Sequence, residues 1–549
     1  MVELNGIKPA PRLRRLWLPG ACIISLEMAS DLKYDFEWIE TRHVPADLLR
    51  ECSELFSTSY GIWGSMGQRP GRPITLSADR VRTYLNGDHG RTALARHRGK
   101  LVCYATVVFL SVPELGRAAW VTQLVTHVDY RRRKVASRVL AAIWGFSDFF
   151  AWGLVTANPY AVKALQNATT RRCDPQRIEK YARVLYDAGA GAVPYVEDKQ
   201  LHVDYTQSII DTDFHISHDS LEESIDRARN GRKWRLGNLH EGQEWFAFTF
   251  KEQPVDEDLT GFVRLQLADS DELLQRVYEG MSLDERHIWT RHDDYEVEFI
   301  VRELCLSFSD HVLDLGCGKG RLTMKLAELG FAATGVDFVP SWVEFAKGEA
   351  IRRGLQSAQF FERDARKKSH GAQRFDAGIC LYDVVGSYAS NEENQRILQA
   401  YFESLRPGAR ALLSVMNMTL TERRAKHRAV VEDDPVSLMN LEPSKLMQDS
   451  GEVLDPDYYL VDTKTRIVYR KEQFDLEGRH LPAELIVRDR RYTQPEIAHM
   501  AEAAGFELLW ARHVRAGHWD EDLGEASDAA KEILLLLKKP KNGLLSEGI

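Results

Sequence analysis

Four stretches in the second half of the chain place carboxylates or glycines where strand-like runs end. VLDLGCGKG (312–320) runs into Gly316 and Gly318, with Asp314 just ahead of them. Glycine lets a backbone approach a ligand closely. Asp314 can engage a ligand's cationic amine, directly or through water. GVDF carries Asp337, twenty-one residues after Gly316. A carboxylate there can accept from both hydroxyls of a ribose. FERDA carries Asp364, placed to accept from an adenine amino group. LYDVVGSY offers Asp383 and Tyr388 as groups that can remove a proton from a reacting atom. The GxGxxG spacing of a nicotinamide-binding turn is not met.

A different chemistry stands upstream. WVTQLVTHVDYRRRKVASRVL is a strand, an arginine-rich turn and a helix. Amides at a helix N-terminus attract phosphate, and arginine and lysine reinforce them. From Arg131 to Arg183 there are eleven Lys or Arg against Asp148, Asp174 and Glu179, a local net of +8 in a chain of formal net charge −9. A polyanionic ligand accounts for this, and so does a solvated helix face.

The elements that must carry these residues differ between the halves. In the first, LVCYATVVFL (101–110) and AWVTQLVTHV (119–128) read as strands joined by a turn. Residues 134–151 have helical spacing, and GLVTA (153–157) is a short strand. A helix follows, with Asn158 at its cap and Pro159 at its first position. Acidic, proline-containing EQPVDEDLTG marks a linker near 253–265. From 310 onward strands alternate with helices, which predicts a parallel, doubly wound sheet. Residues 456–492 break that rhythm and read as antiparallel strands.

The four C-terminal stretches, in this order and spacing, resemble successive motifs of the class I S-adenosylmethionine-dependent methyltransferases over roughly 285–540. The resemblance implies that Asp314, Gly316, Cys317, Gly318, Asp337, Phe338, Asp364, Ala365 and Leu381 bind S-adenosylmethionine. Cys317 is read as packing there, not as a nucleophile. Asp383 and Tyr388 are the candidate bases. The DPPY-like stretch of amino-methylating nucleic-acid enzymes and the Pro-Cys of cytosine-5 enzymes are both absent, which points to small-molecule or tRNA-modifying branches. The upstream turn resembles the [RQ]xxGx[GA] turn of GNAT acyltransferases, which binds acetyl-CoA. Arg131 stands first, Lys134 where glycine is usual, and Ala136 last. That resemblance implies a coenzyme A site at Arg131, Arg133, Lys134, Ala136 and Asn158. His127 is then a candidate base and Tyr160 a candidate acid.

The expected fold is α/β with two domains: a 1–34 extension, a GNAT-like α+β domain (35–253), a linker and helical lead-in (254–284), and a Rossmann-like methyltransferase domain (285–549) with an antiparallel flap at about 418–492. The expected function is bifunctional methyl and N-acyl transfer on a small molecule or nucleic-acid-derived substrate. The alternative makes the GNAT-like half a non-catalytic module that binds substrate or nucleic acid. A hydrophobic content of 44% and a charged content of 28% suit soluble globular protein. The seven cysteines include no CxxC pair, so neither a disulfide framework nor a zinc knuckle is indicated, and a reducing cytoplasm follows. No apolar run reaches membrane-spanning length.

Overall fold

The computed structural model describes residues 33–541, apart from 86–89, 145–148, 198, 205, 230, 255, 257–258, 260–265, 268–270, 280–289, 368–373, 432–434, 445–453 and 475–482. The expected N-terminal extension, up to residue 32, lies outside the described residues, as do parts of the 254–284 lead-in.

The first half is built on an eight-stranded sheet. Its strands are β1 (Asp35–Glu40), β2 (Gly90–His97), β3 (Lys100–Val112), β4 (Gly116–Thr126), β5 (Ala151–Thr156), β6 (Gln200–Asp204), β7 (Gln207–Phe214) and β8 (Gly242–Phe250). They lie in the order β1-β2-β3-β4-β5-β8-β7-β6. The β-branched and aromatic run of β3 is buried along almost its whole length, as a central strand requires. β4 and β5 pair in parallel from Ala118–Ala151 to Val121–Leu154. Both strands continue beyond that last pair, to Thr126 and Thr156. The helix expected over 134–151 spans Val135–Trp144. Ala151 and Trp152 belong to β5 instead, because they pair with Ala118 and Ala119.

The second half contains two sheets. β9 (Gln266–Leu267), β15 (His427–Ala429), β16 (Tyr459–Asp462), β17 (Ile467–Phe474) and β18 (Ala483–Arg490) make the smaller one. The larger comprises β10 (His311–Leu315), β11 (Ala332–Asp337), β12 (Ala358–Glu362), β13 (Phe375–Cys380), β14 (Leu405–Met416), β19 (Glu507–Val514) and β20 (Glu532–Lys538). Its order is β12-β11-β10-β13-β14-β20-β19. β10 to β14 are parallel, and β20 is antiparallel to both of its neighbours. Helices Asp293–Leu304 and Arg321–Glu328 pack one face, and Asn391–Ser404 and Gln494–Ala503 the other. The sheet is doubly wound, and the strand order switches between β10 and β13, where ligands bind in such sheets.

The smaller sheet is the expected flap. It has an antiparallel core, β16-β17-β18, flanked by β15 and β9. β9 lies in the 254–284 stretch expected as linker and helical lead-in, just past the linker itself. After it, helix Asp271–Glu279 packs Leu274 and Val277 against Leu485 and Val487 of β18, with Phe338 and Tyr388 alongside. The short helix Pro435–Asn440 lies against β1. There the Asn440 side chain accepts from Phe36 N at 3.1 Å and donates to Phe36 O at 2.9 Å. Among the described residues no helix is long and apolar enough to cross a membrane.

Candidate active site

The glycine turn after β10 is held by backbone contacts that side chains would obstruct. Gly316 has φ 77°, and a Cβ there would meet Val384 at 2.2 Å. Gly320 has φ 80°, and a Cβ there would meet the Phe360 ring at 2.5 Å. The amides of Gly316 and Cys317 donate to Val336 O at 2.8 and 3.0 Å. Gly318 N and Val339 N each donate to a different oxygen of Asp337, both at 2.9 Å. Asp337 therefore stitches the glycine turn to the end of β11, and burial raises its carboxyl. Cys317 packs against Met324, Val343 and Phe360, and burial pushes its thiol well up, which suits packing and not nucleophilic attack.

Asp314 is buried, and its Oδ2 accepts from Thr323 Oγ1 at 2.6 Å. It acts as a strut between β10 and the helix that follows. Burial pushes its carboxyl up to about 6, against the Thr323 hydrogen bond and the Arg321 charge. Phe338 meets the Tyr278 ring edge-on at 5.7 Å, so the lead-in helix reaches the carboxyl end of β11. Leu381 is buried under one face, and Ala365 packs against the core of the other.

Asp364 is bound by Arg366, whose Nε and amide both donate to Oδ1 at 2.9 Å. Burial would raise this carboxyl, but the Arg366 hydrogen bonds and charge outweigh it, and it lies below its ordinary value. Arg366 also reaches both Asp271 oxygens, at 2.7 and 2.8 Å, and Glu393 at 3.0 Å. Its guanidinium lies 4.5 Å from the centre of the Tyr388 ring. Sequence reasoning missed this hub because its partners sit 95 and 27 residues away.

Tyr382 and Asp383 both take left-handed backbone, with φ 62° and 68°. Strain of this kind costs roughly 1–3 kcal/mol per residue and clusters at functional sites. Asp383 is half-buried and accepts from Met416 N at 3.3 Å. Burial and the nearby Asp489 push its carboxyl well up, opposed by Arg491. Tyr388 is raised by burial too. Facing them on the flap, buried Arg470 donates to both Asp489 oxygens, at 2.8 and 3.0 Å, and to Glu472 at 2.7 Å. A cavity of 720 Å³ opens beside this group, lined by Asp271, Asp364, Arg366, Tyr388, Ile467 and Arg488.

In the first half, the arginine-rich turn leads into helix Val135–Trp144. Arg132 and Lys134 have φ 62° and 59°. Lys134 thus takes the left-handed backbone that glycine favours. Arg131 turns back: its Nε donates to Thr126 O at 3.4 Å, and its Nη2 to Ser59 O. Arg133 lies 5.9 Å from the Tyr130 ring, and Ala136 is half-buried in the first helical turn. Asn158 caps the next helix, accepting from Tyr160 N at 2.9 Å, and Tyr160 is exposed. His127 lies past the end of β4, where its Nδ1 accepts from Asp129 N at 3.3 Å and its Nε2 is 3.4 Å from Lys100 Nζ. Sequence reasoning missed Glu244, buried on β8. It accepts from the Thr212 hydroxyl and the Ala157 amide, and burial pushes it up to about 7.

Residues 312–408 match the family described as methyltransferase domain. The ubiquinone biosynthesis O-methyltransferase of Coxiella burnetii is 30% identical over 121 residues, 22% of this chain and 49% of that protein. The 23S rRNA (uracil(1939)-C(5))-methyltransferase RlmD of Salmonella choleraesuis is 41% identical over 71 residues, 12% of this chain and 16% of that protein. The chain spans about half the length of the first of these relatives, or less. Among solved structures, the CcbJ methyltransferase of Streptomyces caelestis aligns at 17% identity and a TM-score of 0.36, covering 49% of this chain and 96% of that one. A 1,6-didemethyltoxoflavin-N1-methyltransferase of Burkholderia thailandensis aligns at 18% identity and 0.30, covering 49% and 87%. The glycine turn, the strand-end carboxylates and the family match agree on one assignment: the region around residues 312–408 is a class I S-adenosylmethionine-dependent methyltransferase domain.

Proposed function

We propose that this chain methylates a small molecule, or a nucleoside-sized part of a larger one, at the carboxyl ends of β10, β11 and β13. The observation that carries this is the stitch from Gly318 to Asp337 at the ends of β10 and β11, together with the strained acidic loop Tyr382–Asp383 after β13. Bound there, S-adenosylmethionine supplies an activated methyl group. Asp337 has lone pairs left for ribose hydroxyls, and Asp364 for an adenine amino group, since a carboxylate offers about four acceptor sites. Asp383 is placed to hold a proton lost by the acceptor. The flap and helix Asp271–Glu279 keep water from the site, which strengthens its electrostatics. A cavity of 720 Å³, lined in part by Asp364 and Tyr388, favours a small acceptor over a duplex.

The test is methyl transfer from methyl-labelled S-adenosylmethionine to fractionated cell extract. Label is expected in the small-molecule or nucleoside fraction. Label in no fraction at all would overturn the proposal.

A second activity, N-acyl transfer from acyl-CoA by the first half, is favoured by two specific observations. β4 and β5 stop pairing before they end, which leaves an opening in the sheet beside the arginine-rich turn. Lys134 keeps the backbone that a phosphate-binding turn needs from glycine. The expected result is calorimetric binding of acetyl-CoA to the full chain at sub-millimolar concentration, weakening with salt. Without such binding, the first half is left as a recognition module.

A further inference from the structure

A second polar cluster lies at the same edge of the large sheet, and nothing above uses it. Glu532 opens β20 opposite Met416 of β14, at 6% exposure. Ser414 Oγ accepts from Tyr382 N at 2.8 Å and donates to the Glu532 carboxylate. Glu296, fully buried on helix Asp293–Leu304, accepts from Tyr382 OH and, at 2.8 Å, from Arg321 Nη1. The same guanidinium reaches Asp293 at 2.6 Å. Tyr382 thus ties the two glutamates together, one through its amide and Ser414, the other through its hydroxyl. The fully buried Trp519 ring stands 6.3 Å from the Tyr382 ring.

The bonding at this cluster is incomplete. Glu532 Oε2 is buried with no hydrogen-bond partner among the described residues. An ionised or neutral acceptor left so costs roughly 1–3 kcal/mol, and such a group calls for a ligand or a water. Charge decides which kind. Among the described residues, the carboxylates of Asp293, Glu296 and Glu532 stand against two cations, the Arg321 guanidinium and the Lys531 ammonium, which leaves one negative charge in excess. An anion would be repelled. An ammonium group brings one positive charge and several donors, and the Trp519 ring offers a face that attracts a cation, while the Tyr382 ring already carries the Arg321 guanidinium 5.4 Å from its centre. We infer that Glu532 and Glu296, walled by Tyr382 and Trp519, form a binding site for a protonated amine.

Two sources carry that chemistry beside the glycine turn: the amino-acid end of S-adenosylmethionine, and an acceptor with a basic nitrogen. That either is a methyl-transfer substrate rests on the proposed function; the ammonium site itself does not. Burial and the Glu296 charge push the Glu532 carboxyl up to about 7, against the Ser414 hydrogen bond. The site therefore binds cations best above neutral pH. The groups facing Glu532 are Glu296 and Asp293 on one helix, Arg321 on the next, Tyr382 in the loop after β13, and Lys531 beside it.

The experiment compares the full chain with Glu532→Gln, which keeps the shape and removes the charge. Probes are methylammonium chloride, S-adenosylhomocysteine, and 5′-methylthioadenosine, which lacks the amino-acid end. Loss of at least about tenfold in methylammonium affinity is expected. If S-adenosylhomocysteine weakens equally and methylthioadenosine does not, the ammonium is the cofactor's. If both nucleosides bind unchanged and methylammonium loses its site in the S-adenosylhomocysteine-saturated protein, it is the acceptor's. Unchanged binding of all three probes overturns the inference. Should S-adenosylhomocysteine fail to bind the wild type while methylammonium binding depends on Glu532, the ammonium site stands and the methyl-transfer reading falls. If the variant does not fold, pH decides with the wild type: methylammonium binding that fades from pH 8 to pH 5.5 supports the site, and a flat profile overturns it.

Discussion

Single residues decide most of what this molecule can bind. Asp337 holds two backbone amides, so Asp337→Ala removes the proposed ribose contact and leaves two donors unpaired, one buried and one half-buried. We expect a loss of about 2–6 kcal/mol in stability, from roughly 1–3 kcal/mol per orphaned group, readable in urea unfolding. Glu532 gives a pH prediction. Its folded value near 7 lies above the 4.5 of the free side chain, so the folded state holds the proton more tightly. Stability from this group is fully present below pH 4.5 and is lost as pH rises through 7. Glu532→Gln, always neutral, is therefore expected to melt higher than the wild type at pH 8 and to converge with it near pH 4.5. A constant difference across that range would contradict the assignment. Asp314, Asp337 and the glycines were legible because strand, turn and carboxylate are contiguous. Arg366, Glu296 and Glu532 were not, because only the folded sheet brings them to one edge from distant positions. Lys134 stands out in its turn by sequence, and its left-handed backbone is visible only in the folded chain.

At the scale of elements, helix Asp271–Glu279 is the piece whose role changed most. Its composition reads as a lead-in, yet it packs Tyr278 on Phe338 at the end of β11 and is clamped by Asp271 on Arg366. Arg366→Met keeps the stem and removes the clamp. Hydrogen exchange in 271–279 is expected to quicken at least about tenfold, while the core strands β10 and β13 keep their protection. Equal protection in the variant would mean that the helix is held by its apolar contacts with β18 alone. The parallel strands were legible because each is a short apolar run closed by a turn and followed by a helix. β9 was not: two residues pair with β18, more than 200 positions later, and no local pattern announces that.

At the scale of the whole molecule, the two halves meet through a short helix that departs from the flap. Asn440 satisfies both backbone groups of Phe36 on the edge strand β1, 404 residues away. The same edge carries Arg138, 4.4 Å from the Phe36 ring and one turn into the helix that follows the arginine-rich turn. On the other side, buried Lys471 donates to Met439 O at 2.8 Å, next to the Arg470–Asp489 pair. Packed groups thus connect one candidate site to the other. Asn440→Ala is expected to cost about 1–3 kcal/mol by orphaning Phe36 N and O, and to separate the unfolding of the two halves in calorimetry. Neither half's sequence hints at this junction, since a lone asparagine carries no long-range signal. The central claim is that the turn after β10 and the end of β11 hold S-adenosylmethionine. Isothermal titration of the full chain and of Asp337→Ala with S-adenosylhomocysteine at low temperature, where both are folded, tests it directly. The account predicts saturable one-site binding by the wild type, weakened at least about a hundredfold in the variant. Equal affinities, or no binding by the wild type, would contradict it.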